Sequence, residues 1–290
     1  MTTDDETNVV EDDWGLALDF NVFCSFEVHT VTLHPTAALQ LECVDSLTPL
    51  DMTQLSTGEH DATGQCLWQG AFFFLECLDR LLWELQGERW LELGAGPGLA
   101  GLAVAQRGKR VCWTDADPQA LDLCRRNVKR NGLEGGIVEV LRWGEDVSPC
   151  LRKEEPWDVV FATDVLYDIA ALPLLLQSAV DLLPKDRGFF VLSHVPRACY
   201  SSENPAEELL QDCRNLDDYI VRMTTTTKFP FVLKHRWSPR DLSESQIHAP
   251  TLSVKSLEEM EEIGTALFVF ERRAPTATAT ATVATAGARS

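Results

Sequence analysis

Basic charge is what this chain has least of: 25 Lys and Arg stand against 45 Asp and Glu, for a net charge of −20 and a sequence pI near 4.6. A surface of that sign repels phosphate, so a nucleic-acid substrate is excluded unless a local basic patch intervenes, and a basic protein partner fits the field better. Paired cysteines are missing too. The nine cysteines contain no CxxC pair and follow no spacing of a zinc site or disulfide framework, so no metal is expected. Cys77, Cys112 and Cys124 lie singly inside apolar runs and read as reduced, structural thiols. No apolar run is long enough to span a membrane. The N-terminus, with Asp4, Asp5, Glu6, Glu11, Asp12 and Asp13, lacks the build of a signal or transit peptide. The expectation from these absences is a cytosolic or nuclear monomer that meets neither membrane nor nucleic acid.

With 290 residues and 45% hydrophobic content, the chain can bury one large α/β core with appendages. Residues 1–20 are acidic and read as a loose N-terminus. Residues 21–64 form a β extension and linker, in which Phe26–Leu33 and Leu39–Val44 alternate with period two and predict a hairpin. The main domain covers 65–273, and the Thr/Ala-rich 274–290 has too little apolar variety to pack. Within the domain, Leu67–Leu85 carries apolar residues at helical spacing, with Phe72, Phe73 and Phe74 read as core.

From Arg89 onward strands and helices alternate. Buried strands are expected at Leu91–Leu93, Val111–Trp113, Ile137–Val140, Val159–Ala162 and Phe189–Leu192, which predicts a doubly wound, mostly parallel sheet. After a helical stretch at 203–220, strands at 226–237 and 265–272 are expected to close the sheet as an antiparallel hairpin.

The most informative run is Trp90-Leu91-Glu92-Leu93-Gly94-Ala95-Gly96-Pro97-Gly98-Leu99-Ala100-Gly101, followed by Thr114-Asp115 at the end of the next apolar run. Glycines let the turn after a first parallel strand pass close to a ligand, and an acid ending the second strand can hold both ribose hydroxyls. An adenosine-containing cofactor follows. A dinucleotide fingerprint begun at Gly94 fails at Leu99, and the formal GxGxxG over Gly96, Gly98 and Gly101 starts inside the turn, so it reads as accidental. Asp117 is the expected N-cap of the next helix and Pro118 suits its first turn, which leaves Asp115 for the ribose.

Two further runs end sheet strands. Trp143, in Leu141-Arg142-Trp143-Gly144, offers a broad apolar face to an adenine, the alternative being a plain core tryptophan. The run Trp157 to Asp168 delivers Asp164 and Tyr167 to the carboxyl edge, where ligands of open α/β sheets bind. His194 and Arg197 also lie near a strand end; each reads either as a substrate contact or as a structural or solvated residue.

Taken in order, Trp68, the loop Glu92–Leu99, Thr114-Asp115, Trp143-Gly144 and Asp164–Tyr167 resemble the eukaryotic seven-β-strand protein-lysine methyltransferases, the methyltransferase-like proteins, over roughly residues 60–200. The resemblance implies a Rossmann-like fold with S-adenosylmethionine as cofactor. It would be held by Trp68, Glu92, Gly94, Ala95, Gly96, Gly98, Asp115, Trp143 and Ala162, with Asp164 and Tyr167 as the catalytic pair lining the acceptor channel. Pro97 stands where the family more often has Thr, which removes a backbone donor without blocking the turn. The implied reaction is in-line transfer of the sulfonium methyl to the neutral ε-amine of a protein lysine. Two other readings stay open: methylation of a small amine or a protein histidine, and a cofactor-binding scaffold without turnover.

Overall fold

The computed structural model describes residues 26–33, 38–44, 62–133, 135–147, 151, 156–196, 216–225 and 228–274. The expectations for 1–20, for 275–290, for the first part of the helix at 203–220 and for Arg197 lie outside these residues.

Ten strands are described: β1 (Phe26–Leu33), β2 (Ala38–Val44), β3 (Arg89–Leu93), β4 (Arg110–Asp115), β5 (Ile137–Val140), β6 (Val159–Thr163), β7 (Phe189–His194), β8 (Phe231–Trp237), β9 (Ile247–His248) and β10 (Ala266–Arg272). Seven of them form one sheet in the order β5-β4-β3-β6-β7-β10-β8. The pairs from β5 across to β7 are parallel, whereas β10 runs antiparallel to both β7 and β8. This is the Rossmann-like, mostly parallel sheet with an antiparallel closing hairpin that the alternation predicts. Its central strands are buried on both faces, so they read as continuous apolar runs. Trp90, Val111, Trp113, Val159 and Phe161 belong to the core on one face; Leu91, Leu93, Cys112, Val160 and Ala162 belong to the core on the other.

The expected helix over Leu67–Leu85 is two helices, α1 (Gln69–Glu76) and α2 (Leu78–Glu84). The break falls at Cys77, whose N–H is shared between the carbonyls of Phe73 and Phe74. The two pieces meet different surroundings. Every residue of α1 from Gly70 to Glu76 is buried, and Phe74 stacks on Phe161 at 4.9 Å, while α2 buries only Leu78 and Leu81. Single-period reasoning reads the apolar stripe correctly but is blind to a bend that changes which neighbours it meets.

Helix α3 (Leu99–Gln106) follows the glycine loop, and α4 (Pro118–Arg130) follows β4. The Asp117 side chain accepts from the Gln119 N–H at 2.9 Å and caps α4, as its sequence position predicts. Helix α5 (Leu172–Leu182) lies between β6 and β7 in the chain, and α6 (Leu216–Thr224) precedes β8. The described cysteines Cys43, Cys66, Cys77, Cys112 and Cys124 are all buried and unbridged.

The N-terminal hairpin of β1 and β2 forms in the expected place and gains a third strand that sequence pattern did not reveal. Two residues of β9, more than 200 positions away, pair with the end of β1. The other edge, β2, is closed by side chains. Asn131 gives its amide to the Gln40 carbonyl (2.7 Å) and accepts the Gln40 N–H (2.9 Å). One turn earlier, Asn127 does the same for Glu42 at 2.8 and 2.7 Å. Two amides spaced four apart on α4 thus replace a neighbouring strand and satisfy an edge that is otherwise open to pairing. Asn127 Nδ2 also donates to the Pro97 carbonyl at 2.9 Å, so the same residue joins this small sheet to the glycine loop.

Asn127 is fully buried, and its loss strands the partners of three hydrogen bonds. Asn127→Ala is expected to lower stability by about 3 kcal/mol in urea unfolding. Arg126→Ala, which removes a half-exposed partner of Glu42, is expected to cost less than ~1 kcal/mol in the same measurement.

Candidate cofactor site

The site sits where strand order reverses, with β3 flanked by β4 on one side and β6 on the other. In open α/β sheets that is where loops leave the carboxyl edge in opposite directions and open a crevice. After β3 the chain turns at Gly94, Gly96 and Gly98, all with positive φ (70°, 52° and 88°). Neighbours reinforce the backbone requirement. A Cβ on Gly94 would stand 2.7 Å from Val165 Cγ1 and 3.2 Å from Trp143 Cζ2, and one on Gly96 would stand 2.9 Å from the Gly64 carbonyl oxygen. The loop is stitched to β4 by the Ala95 N–H donating to the Thr114 carbonyl at 2.9 Å.

Asp115 ends β4 beside this loop. Its Oδ2 accepts the Gly96 N–H at 2.9 Å and its Oδ1 the Asp117 N–H at 3.0 Å. Burial pushes its carboxyl above the usual range, against the pull of those backbone donors. Asp117 is engaged in capping, as expected from sequence, and Asp115 is the carboxylate that faces the glycine turn. Trp143 is half-buried with its ring edge against Gly94. Gly144, at φ 78°, lets the chain leave without striking α5: its N–H donates to Ser178 Oγ at 3.0 Å, and a Cβ would lie 2.6 Å from Leu174 Cδ2. Trp68 precedes α1 and donates its indole N–H to the Thr63 carbonyl at 3.0 Å, fixing the turn Ala62–Gln65 whose Gly64 lies over Gly96.

Glu92 and Ala162, expected to face the cofactor, are placed otherwise. Glu92 is 1% exposed beneath the loop, where its Oε2 accepts the Gly101 N–H at 3.0 Å. Its role is to hold the first turn of α3 on β3. Ala162 is fully buried and belongs, with Leu91, Leu93 and Val160, to the core on one face of the sheet. A strand flanked on both sides buries residues short of its very end, which a motif read along the chain cannot distinguish from residues at the rim.

Sequence reading also missed the centre of the site's support, Trp113. Its fully buried ring lies under the loop with Nε1 donating to the Gly98 carbonyl at 3.3 Å. Three glycines make room for it. A Cβ would come within 2.1 Å of the ring at Gly101, 2.2 Å at Gly136 and 3.3 Å at Gly98. Gly101, set aside as an accidental match, is therefore required for close helix–strand packing. The signal was present in the spacing but was read only for its phosphate-binding meaning.

Beyond β6, Asp164 is 6% exposed and is the only non-glycine among the described residues with positive φ, at 58°. Its Oδ2 accepts the Gly70 N–H at 2.9 Å and its Oδ1 the Val195 N–H at 3.4 Å. Tyr167 follows with 57% of its surface exposed, held in a turn that Asp168 caps through the Ala170 N–H at 2.9 Å. His194 is fully buried at the end of β7, which removes the substrate-contact reading and keeps the structural one.

A family model described as lysine methyltransferase matches residues 49–204. The chain belongs to the lysine methyltransferase family. Its curated relatives include the histone-arginine methyltransferase METTL23 of Xenopus laevis, 37% identical over 145 residues that make up 48% of this chain and 61% of that protein. The protein N-lysine methyltransferase METTL21A of Danio rerio is 33% identical over 41% of this chain and 56% of its own length. EEF1A lysine methyltransferase 3 of Xenopus tropicalis is 30% identical over 44% and 51%. The chain spans about half to three-fifths of the length of these relatives. Among solved structures, magnesium protoporphyrin IX methyltransferase from Synechocystis PCC 6803, with bound SAM, is 14% identical at a TM-score of 0.44, covering 79% of this chain and 86% of that one. S-adenosylmethionine is the cofactor of the family, and the residues here fit it: a glycine turn that no side chain can fill, a carboxylate at the second strand and an indole beside the loop.

Gly101→Ala drives a methyl into a buried indole, and is expected to cost about 3 kcal/mol or to prevent folding, read from urea unfolding or soluble yield. Glu92 offers a pH test. Burial raises its carboxyl well above the usual range, the Gly101 N–H opposes this, and the Asp115 charge adds to it. Because its folded pKa exceeds its unfolded one, its contribution to stability is full at low pH and is lost as pH rises through the ordinary Glu range toward the raised value. Glu92→Gln removes that loss. Its melting temperature is expected to gain on the parent as pH rises above the ordinary Glu range, and parallel curves would contradict the assignment.

Proposed function

We propose that this chain is an S-adenosylmethionine-dependent methyltransferase whose acceptor is the ε-amine of a lysine in a protein. The observation that carries the reading is the convergence on one sheet edge of a cofactor half and an acceptor half. Asp115 and Trp143 flank the glycine turn on one side, and the exposed Tyr167 stands on the other, at the end of the adjacent strand β6. Bound in that turn, the cofactor supplies a methyl already activated by its sulfonium. What remains for the protein is alignment and an unprotonated amine.

A lysine in water holds its proton up to a pKa of about 10.4, and burial beside an aromatic ring favours the neutral form. Tyr167 provides such a wall at the mouth, and its phenol can accept or donate one hydrogen bond to orient the amine. The proton released on transfer passes to solvent at this exposed rim. The net charge of −20 favours a basic target segment by long-range attraction. The buried, unbridged cysteines suit the reducing cytosol or nucleus. The stretches Trp68-Gln69-Gly70-Ala71, Leu123-Cys124-x-x-Asn127-Val128 and Phe161-Ala162 also resemble those of methyltransferase-like protein 22, which we propose as a related branch. A second reading, arginine as acceptor, is favoured by the similarity to the histone-arginine methyltransferase METTL23 at 37% identity.

The test incubates the chain with radiolabelled S-adenosylmethionine and a cell extract, then locates the label by mass spectrometry. Label on lysine is the expected result, and label on arginine selects the second reading. Asp115→Ala is expected to weaken S-adenosylhomocysteine binding more than ~100-fold and to abolish labelling, as loss of a buried charged partner does. Tyr167→Ala is expected to bind within about 2-fold of wild type while labelling falls about tenfold. A wild-type chain that binds no S-adenosylhomocysteine sinks the proposal.

A further inference from the structure

Asp164 holds a backbone conformation that L residues adopt at a cost, at φ 58°, and Asp is among the few side chains that tolerate it. Something must over-determine it. Its backbone N–H donates to the Ser193 carbonyl at 2.8 Å, and its carboxylate turns inward to meet the N–H groups of Gly70 and Val195. Gly70 is the second residue of α1, so the carboxylate sits at the positive end of that helix. Ser193 closes the ring by donating its hydroxyl to the Gly70 carbonyl at 2.6 Å. There is no room for a side chain at the junction, since a Cβ on Gly70 would stand 2.8 Å from Asp164 Cβ. The ends of β6 and β7 therefore grip both polar backbone groups of one residue at the start of α1.

What leads into that residue is the strap 62–69. It bridges β2 through Cys66 and Val44, touches Gln119 of α4 through Gln65 Nε2 at 3.3 Å, and sets the Gly64 carbonyl over Gly96. Trp68 ties it internally through Thr63. One end of the strap lies on the cofactor turn, and the other is clamped by Asp164 three residues before Tyr167.

We infer that Asp164 is a positioning residue, which fixes the start of α1 and through it the strap over the cofactor turn, and that it does not touch the amine. The inference rests on the proposed function for the meaning of the two halves of the site. It accounts for an acid at the acceptor edge whose carboxylate faces backbone donors. It also makes acceptor geometry and cofactor affinity depend on one residue.

Calorimetric titration of the full chain with S-adenosylhomocysteine, combined with hydrogen exchange of the segment 62–76 in the absence of any ligand, tests it. Asp164→Asn is expected to bind about tenfold more weakly and to exchange faster in that segment. Ser193→Ala, which loosens Gly70 without approaching the reacting atoms, is expected to move both readouts in the same direction by about threefold. The pH profile of transfer keeps its shape in both variants. An Asp164→Asn chain with wild-type affinity and exchange but slower transfer and a shifted pH profile would overturn the inference in favour of direct amine contact. If that variant fails to fold, a Ser193→Ala chain with unchanged affinity and exchange overturns it as well. Failure of the wild type to bind S-adenosylhomocysteine is a separate result: it removes the proposed function, and the exchange comparison alone then decides whether the clamp exists.

Discussion

The site depends on how closely α3 approaches β4 around the Trp113 ring. A buried indole in that position demands that its neighbours have no side chains, and Gly98 and Gly101 at the start of α3 and Gly136 before β5 meet the demand from two separate stretches of chain. Interiors are packed too densely for a methyl to be inserted without displacing something, so these glycines are fixed by volume as well as by dihedral angle. The ring in turn holds the Gly98 carbonyl. The glycine turn therefore rests on a buried aromatic floor.

A second device recurs throughout the molecule: a carboxylate buried against backbone N–H groups. Glu92 receives Gly101, Asp115 receives Gly96 and Asp117, Asp164 receives Gly70 and Val195, and Glu76 receives Gln246 together with the Ser245 hydroxyl. Those of Asp164 and Glu76 join segments distant in sequence. Burying an acid is costly unless its lone pairs are matched, and backbone amides match them without requiring a basic side chain. In a chain with few Lys and Arg, this is how acidic residues serve as internal fasteners. Where cations do appear, as with Arg126 and Arg130 on Glu42, they lie at the surface and hold that carboxyl below its usual range despite its partial burial.

The small sheet is part of the same construction. Asn127 spans from β2 to the Pro97 carbonyl in the glycine turn, and the strap from β2 to α1 passes over Gly96. Residues before β3 thus enclose the site from above while Trp113 supports it from below. Family membership accounts for the common sheet. The amide ladder and the Asp164 clamp are the particular contacts by which this chain joins its parts.

By itself the sequence determined the order of strands and helices, the glycine turn, the Asp117 cap, and the placing of Asp164 and Tyr167 at one edge. Those features are local: periodicity, capping and glycine spacing act over a few residues and leave their mark in them. Tertiary structure alone decided that Glu92 and Ala162 are buried, that α1 and α2 part at Cys77, that β9 joins β1, and that Gly101 serves Trp113. For β9 the deciding neighbour lies more than 200 positions away, and for Gly101 and Glu92 it lies on the next element of the fold. A carboxylate whose partner is an amide some 94 positions away, as with Asp164 and Gly70, carries no sign of it in its own surroundings. The chain can specify which groups it will expose or bury, but which of them meet is settled by packing.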